Sequence, residues 1–144
     1  MDKREILFRA WNKTNKYMDE DFSIHADGCI YQSSKRTWDI ADLAVETAYD
    51  DFEIMQFTGL TDKNGANIFE GDIIKIALLK DYGFAGKFTD YHKAVISFEN
   101  GCFWFTTIPE IDYQQKTTDC NWHFYDARDR VVIGNIYEHP ELLK

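Results

Sequence analysis

The chain has 144 residues, of which 44% are hydrophobic and 16% aromatic, and its formal net charge is −9 at pH 7. A chain of this length can bury a hydrophobic core without covalent staples, and its composition excludes a disordered linker or tail. Its longest apolar run, IIKIALL, is interrupted by a lysine and is far shorter than the roughly 20 residues of a membrane-spanning helix.

The negative charge is concentrated in one segment. Residues 19–53 contain ten acidic and two basic residues, a local net charge of −8, so the rest of the chain carries −1. Such a segment repels a phosphate backbone, which argues against non-specific nucleic-acid binding through it.

Cysteine usage favours a reducing compartment. Cys29, Cys102 and Cys120 are scattered and odd in number, and the opening stretch MDKREILFRAW lacks the apolar core of a signal peptide. We therefore expect a cytoplasmic protein with no disulfide framework and no membrane association.

The first predicted element is a β-hairpin. The alternating stretch ILFRAW, the polar stretch NKTN and the following KYMDE have the pattern of two strands joined by a turn. From Phe22 to Arg36 the pattern fades, and DG at 27–28 and QSSK at 32–35 predict turns and loops.

An amphipathic helix is predicted at residues 38–49. Thr37 precedes it as an N-cap, and apolar residues recur behind it at helical spacing. Asp50 and Asp51 oppose the helix dipole, so the helix is expected to end there. The acids on its polar face are Asp39, Asp42, Glu46 and Asp50.

Strand signals then follow almost without interruption. The stretches are EIMQFTGL, ANIFEGDIIKIALL, KAVISFE, CFWFTTI, WHFYDA and RVVIGNIY. DKNG at 62–65 and DARD at 126–129 are predicted to join hairpins, and EHPELLK predicts a short terminal helical turn that begins at Pro140.

The clearest hairpin is VISFENGCFWF. Asn-Gly tolerates positive φ at both central positions of a type I′ turn, which fixes the register of the two strands. The expected cross-strand pairs are Glu99 with Cys102, Phe98 with Phe103, and Ser97 with Trp104.

These patterns predict an α+β, predominantly β fold. Its short antiparallel strands would form a strongly curved sheet or a small SH3-like barrel, with one amphipathic helix near residues 38–49. We expect a single domain over 1–144, which divides further into an N-terminal subdomain 1–54 and a β-rich core 55–144. Exposed strand edges are also compatible with homo-oligomerisation.

Four stretches of the chain resemble the YopX family of bacteriophage and prophage proteins. They are ILFRAW at 6–11, MQFTGLTDKNGANIFEGDII at 55–74, VISFENGCFWF at 95–105 and VIGNIYEHPELL at 132–143. The resemblance implies a protein of a temperate phage or prophage that acts inside its bacterial host. It brings no established activity and no catalytic residues.

The glycines in FTGLTDKNGANIFEGDIIKI are interpreted as turn residues. A phosphate loop needs backbone amides that converge at the start of a helix, and no helix pattern follows these glycines. Gly65 and Gly71 would permit turns or a bulge, and Asp72 would bond the local backbone where the next strand begins.

No metal site or cofactor is predicted. His25 with Cys29 and Cys120 with His123 form two short pairs of zinc-binding residue types, but neither is the repeated Cys-x2-Cys pattern of a strong zinc signature. Free thiols and surface histidines explain these residues equally well.

No catalytic set is predicted either. Cys102 and Cys120 are candidate nucleophiles, with His92 or His123 as the base, but no local motif joins them. The orienting acids in such a set would be Asp72, Asp112 or Asp126. We therefore predict a protein that is not an enzyme.

Two binding functions follow from these patterns. An acidic surface in residues 19–53 would capture a host or phage protein, and its candidate residues are Asp39, Asp42, Glu46, Asp50 and Asp51. The alternative is a small-barrel nucleic-acid-binding protein that uses the loop 80–93 and nearby aromatic residues. Its candidate contacts are Lys80, Lys87, Lys93 and Trp104. The plainest explanation of the acids is a solvated helix face.

Overall fold

The computed structural model describes residues 5–20, 22–24, 30–32, 51–81, 87–108 and 130–144. In these ranges it has ten strands and a 3-10 helix at Pro140–Leu143. The strands are β1 Phe8–Asn12, β2 Tyr17–Asp19, β3 Phe22–Ile24, β4 Ile30–Gln32, β5 Phe52–Thr61, β6 Asn67–Phe69, β7 Asp72–Asp81, β8 Lys87–Glu99, β9 Cys102–Ile108 and β10 Val131–Asn135.

Every strand pair in the described ranges is antiparallel, which confirms the predominantly β prediction. The predicted curvature is present as a curled, half-barrel sheet. The helix predicted at 38–49 lies outside the described residues and is not borne out, and within those residues there is no α-helix. Full barrel closure stays a prediction.

The chain divides into two compact units. We call Ile6–Gln56 the N-terminal unit, and Phe57–Lys144 with Met1–Glu5 the C-terminal unit. The first five residues of β5 belong to the N-terminal unit and the last five to the C-terminal unit.

In the N-terminal unit, β1 pairs with β2 on one side and with β5 on the other. Ala10 therefore lies opposite both Asp19 and Ile54. Ala10 and Phe52 are buried, and Phe22 and Ile54 pack against them. Because β2 and β5 flank the same strand, the residues between them leave this sheet at β2 and return to it at β5.

The predicted first hairpin is confirmed. The side-chain Oδ1 of Asn12 accepts a hydrogen bond from the Asn15 N–H at 2.7 Å, and the Lys16 N–H donates to the Asn12 carbonyl at 2.9 Å. Lys16 has a φ of 56°, so it takes the left-handed conformation that closes the turn. Asn12 thus organises the turn through both its side chain and its backbone carbonyl.

In the C-terminal unit the strand order is β10-β7-β8-β9. Asn100 and Gly101 have φ values of 52° and 80°, as the type I′ turn between β8 and β9 requires. The predicted cross-strand pairs are confirmed: Glu99 with Cys102, Phe98 with Phe103, and Ser97 with Trp104.

The core of this unit is aliphatic. Alternation along β7 places Ile74 and Ile76 inside and leaves Lys75 exposed between them. Full burial of an aliphatic side chain contributes about 1.5–3 kcal/mol. The buried cluster consists of Ile68, Ile74, Ile76, Ala94 and Ile96, with Leu60, Phe103, Phe105 and Val132 packed against it.

The run ANIFEGDIIKIALL forms two strands, β6 and β7, because the chain turns at Gly71 with a φ of 77°. The buried Asp72 accepts a hydrogen bond from the Phe69 N–H at 2.8 Å through Oδ2. Gly71 also donates its N–H to the Ile96 carbonyl at 2.8 Å. The predicted roles of Gly71 and Asp72 are therefore confirmed.

Candidate functional site

The end of the acidic segment is attached to the turn between β1 and β2. The Lys13 N–H donates to the Asp51 carbonyl at 2.8 Å, and the Thr14 hydroxyl donates to Asp51 Oδ1 at 3.2 Å. Lys13 Nζ also forms an ion pair with Glu53 Oε1 at 3.2 Å. Since both side chains of this pair are substantially exposed, it contributes about 0–1 kcal/mol.

Asp51 is thus the one predicted acidic-surface residue that lies in the described part of the chain. The segment begins in the same unit, where Asp19 is half-buried in β2 and Glu20 is exposed directly after it. The other four predicted acidic-surface residues lie outside the described residues: Asp39, Asp42, Glu46 and Asp50.

Two of the four predicted nucleic-acid contacts, Lys93 and Trp104, lie on the same face of the C-terminal sheet, which we call the outer face. Lys93 and Ser97 are four residues apart on β8 and so point to the same face, and Trp104 lies opposite Ser97. Lys75 lies directly opposite Lys93 and shares this face. Tyr91 is also on it and is 56% exposed.

Like charges directly opposite each other on a sheet are unfavourable, and each lysine on the outer face has its own compensation. Lys93 Nζ donates to the backbone oxygens of Leu142 at 2.6 Å and Lys144 at 2.9 Å. Lys75 Nζ lies 4.8 Å from the ring centroid of Tyr91, a cation–π contact. Lys93 is therefore engaged in holding the C-terminal end of the chain.

The side chain of Trp104 also makes a hydrogen bond within the fold. Its indole Nε1 donates to the Glu99 carbonyl at 3.0 Å, across the tight turn of its own hairpin. The ring stays half-buried. Tyr91 was missed by the sequence prediction, although the alternation of Tyr91, Lys93 and Val95 along a strand would have placed it beside Lys93.

The predicted loop 80–93 is wrong for most of its length. β7 continues to Asp81 and β8 starts at Lys87, with backbone pairs of Lys80 with Phe88 and Asp81 with Lys87. Backbone pairing needs no particular side chains, so a strand can continue where the sequence shows no apolar alternation. Lys80 and Lys87 thus belong to the far end of a β-ladder.

The DKNG turn is organised by a buried carboxylate. Asp62 is 6% exposed, and its Oδ1 accepts hydrogen bonds from the N–H groups of Asn64 at 2.7 Å and Ala66 at 2.9 Å. Its Oδ2 accepts from the Val132 N–H of β10 at 3.2 Å. Burial raises the pKa of Asp62, but these backbone hydrogen bonds and one from the Asn64 side chain outweigh it, so the pKa is lowered.

A second network builds the C-terminal turn. The Asn135 Oδ1 accepts from the N–H groups of Tyr137 at 3.1 Å and Glu138 at 2.9 Å, and its Nδ2 donates to Glu138 Oε2 at 2.6 Å. The His139 N–H donates to the Asn135 carbonyl at 3.0 Å. This network leads into the 3-10 helix, so the predicted helical turn beginning at Pro140 is confirmed.

The catalytic candidates do not assemble in the described part of the chain. Cys102 is disulfide-bonded, which contradicts the expectation of a chain without disulfides, and it is therefore not available as a nucleophile. Asp72 is committed to the local turn, and His92 is half-buried on β8. The remaining candidates, Asp112, Cys120, His123 and Asp126, lie outside the described residues.

Among the described residues there is no group of three or more histidines, cysteines and acids that could hold a metal ion. His25, Cys29, Cys120 and His123, the predicted pairs, are outside them. None of the helical structure in the described residues is long and apolar enough to span a bilayer.

The architecture defines a predominantly β protein of paired antiparallel strands. The family described as "YopX protein" has a model that matches residues 7–144. The chain therefore belongs to the YopX family, and the resemblance stated from its sequence is confirmed.

Among the solved structures that match, one described example covers nearly the whole chain. It is the crystal structure of protein EF1440 from Enterococcus faecalis, with a TM-score of 0.61 and 28% sequence identity over 99% of this chain and 100% of that one. No curated protein matches the chain. Since neither the family description nor the name EF1440 states an activity, function has to be argued from the chain itself.

Proposed function

We propose that this YopX-family protein is a non-enzymatic accessory protein of a phage or prophage that binds a host or phage protein. The binding surface is the acidic segment 19–53, and the partner presents a basic surface to it. The observation that carries this proposal is the attachment of both ends of the segment to the same strand, β1.

The attachment gives the segment a fixed base. Asp19 pairs with Ala10 at one end, and Phe52 pairs with Asn12 at the other. Asp51 adds two hydrogen bonds to the β1–β2 turn. Residues 19–53 thus carry a net charge of −8 and are anchored at both ends on one strand, which suits electrostatic steering of a basic partner.

The hydrogen bonds of Lys93 and Trp104 on the outer face argue against a nucleic-acid-binding function. Lys93 donates to two backbone oxygens, and the Trp104 indole N–H donates to Glu99, so neither group is held ready for a nucleic acid. Asp62 and Asp72, both buried in the C-terminal unit, serve turns rather than a ligand. What remains for a phosphate backbone is dispersed positive charge, which makes a poor electrostatic footprint.

A matched pair of triple variants tests the proposal. Asp39→Asn, Asp42→Asn and Glu46→Gln remove three charges from the acidic segment. The control removes three exposed acids elsewhere, with Glu5→Gln, Glu99→Gln and Glu141→Gln.

Each tagged protein is used for affinity capture from host lysate in which the phage genes are expressed, and each captured partner is then purified and titrated by calorimetry. We expect the segment variant to lose the partner and the control to keep it, with wild-type affinity falling as salt rises. Equal binding by all three proteins, or equal loss from both variants, contradicts the proposal.

A gel-shift panel separates the two candidate functions. Single-stranded and double-stranded DNA and RNA are each titrated with wild-type protein at low salt. We expect no shift at micromolar protein. A shift that persists in the segment variant and is lost in Tyr91→Ala would replace the proposed function by nucleic-acid binding on the outer face.

A further inference from the structure

The chain contains two Asn-Gly sequences, and both lie in exposed turns between strands. Asn64-Gly65 joins β5 to β6, and Asn100-Gly101 joins β8 to β9. In this dipeptide the backbone nitrogen of glycine can attack the side-chain carbonyl carbon of asparagine, because glycine has no side chain to hinder the approach. The two sites share the reacting dipeptide and differ in the residues that flank it, so comparing folded with unfolded protein isolates the contribution of the fold.

Asn64-Gly65 is held by hydrogen bonds on both reacting groups. The Gly65 N–H donates to the Asp62 carbonyl at 3.0 Å, and the Asn64 side-chain amide lies 3.5 Å from Asp62 Oδ2. The Asn64 N–H is held by Asp62 Oδ1 at 2.7 Å. Because Asp62 is itself buried and bonded to β10, the attack at Asn64 requires this turn to open first.

Asn100-Gly101 lacks such restraints. Both residues are exposed, and among the described residues no hydrogen-bond partner holds the Gly101 N–H or the Asn100 side-chain amide. The space around Gly101 is open, since a Cβ built there would meet nothing within 4 Å. The flanking Glu99–Cys102 pair is the last pair of the ladder before the turn, so the two central residues lie outside the β-ladder.

We propose that Asn100 is a site of spontaneous deamidation and that Asn64 is protected by its fold. The Gly101 nitrogen forms a bond to Asn100 Cγ and gives up its proton to water, and the Asn100 side-chain nitrogen leaves as ammonia. Water then opens the cyclic imide at either carbonyl, which yields aspartate or isoaspartate. The conversion consumes water alone and involves no oxidation or reduction.

The product changes the hairpin tip in two ways. A new carboxylate appears beside the exposed Glu99, and in the isoaspartate form the backbone gains one methylene between Asn100 and Gly101. A two-residue type I′ turn depends on positive φ at both central residues, so the longer backbone does not fit it. The Trp104 indole bond to Glu99 spans this turn and would report its loosening.

The test measures both sites in the same full-length protein. Wild-type protein is incubated at mildly alkaline pH, and digested aliquots are analysed by mass spectrometry for amide loss at Asn64 and Asn100. We expect loss at Asn100 to be about tenfold faster, the factor that corresponds to breaking hydrogen bonds worth about 1.4 kcal/mol at the other site. Equal rates, faster loss at Asn64, or no loss at Asn100 overturn the proposal.

Two controls separate the fold from the chemistry. In denaturant both turns are lost, so the two sites should react at equal rates, and a persisting difference would contradict protection by the fold. Gly101→Ala hinders the attacking nitrogen and should slow loss at Asn100 severalfold while leaving Asn64 unchanged. If Gly101→Ala unfolds the protein, faster amide loss at Asn64 will show it. If the variant is folded and amide loss at Asn100 is unchanged, the cyclic imide route is ruled out.

Discussion

Lys93 and Leu142 are joined by a 2.6 Å hydrogen bond from the lysine Nζ to the leucine backbone oxygen, although 49 positions separate them in the chain. The same ammonium donates to Lys144 at 2.9 Å. One side chain on β8 therefore satisfies backbone oxygens at the end of the 3-10 helix, where no intrahelical donors remain. Lys93 therefore has a structural role, which is to hold the 3-10 helix against β8.

Replacing Lys93 with methionine should lower the free energy of unfolding by about 1–2 kcal/mol, because charge-assisted hydrogen bonds to two oxygens are lost. Urea denaturation measures the change. Lys75→Met is the matched control, since Lys75 faces Lys93 and makes only an exposed cation–π contact worth about 0.5–1 kcal/mol. Similar losses in both variants would mean that the bonds to the 3-10 helix add little.

Asp62→Asn should lower the free energy of unfolding by about 1–3 kcal/mol at neutral pH, since an amide cannot accept all the hydrogen bonds of the carboxylate. The folded pKa of Asp62 is lowered, so its contribution is complete above the unfolded value of about 3.9 and is lost as the pH falls through the folded pKa. Denaturation of both proteins between neutral and acid pH should show the gap between them closing below about pH 4. A gap that is constant with pH would show that ionisation of Asp62 is irrelevant.

Gly134→Ala should loosen the C-terminal turn. A Cβ at this position would lie 2.8 Å from His139 Cγ and 3.0 Å from Leu142 Cδ1, so these two side chains have to move, at a cost of about 1–3 kcal/mol. Hydrogen exchange should speed up at the His139 and Leu142 amides. Gly65→Ala, where the added Cβ meets nothing within 4 Å, should leave those two amides protected.

Ile74→Ala should lower the free energy of unfolding by about 2–5 kcal/mol, because it opens a cavity in the aliphatic cluster. Phe98→Ala removes a larger side chain, but Phe98 is 42% exposed and its main ring contact is with Phe103 at 4.9 Å. We expect loss of this aromatic pair to lower the free energy of unfolding by about 1 kcal/mol, in addition to the loss from the buried part of the Phe98 side chain. If urea denaturation ranks Phe98 above Ile74, the aliphatic cluster is not the centre of stability.

The sequence was sufficient to predict the structure where a single short turn determines how two strands pair. Asn100-Gly101 specified the register of seven residue pairs between β8 and β9 because two residues with positive φ leave one way to join the strands. Asp72 likewise bonds three residues back, within reach of a local prediction. Strand periodicity also predicted β5, β7 and β10. The prediction of turns and loops from Phe22 to Arg36 was wrong in part, because the short strands β3 and β4 pair there with too few residues to show a periodic pattern.

Contacts between distant parts of the chain were beyond sequence prediction. Nothing near Lys93 indicates Leu142, and nothing near Asp62 indicates Val132, 70 positions away. The sequence prediction also missed that β7 reaches Asp81 and that β8 starts at Lys87, since backbone pairing needs no apolar alternation. For the candidate site, the charge of the acidic segment was readable, whereas the Asp51 contacts that hold its end were not.

The attachment of the acidic segment at both ends to β1 has a consequence for how such proteins can diversify. Insertions or deletions between Gln32 and Asp51 need not disturb the pairing of β1 with β2 and β5. Phe22 and Asp51 have to be kept, because Phe22 packs against Ala10 and Phe52 and Asp51 bonds the β1–β2 turn. Closing a flexible loop of doubled length costs only about 0.6 kcal/mol. The sheet can thus stay constant while the length and sequence of the segment proposed to bind a partner change.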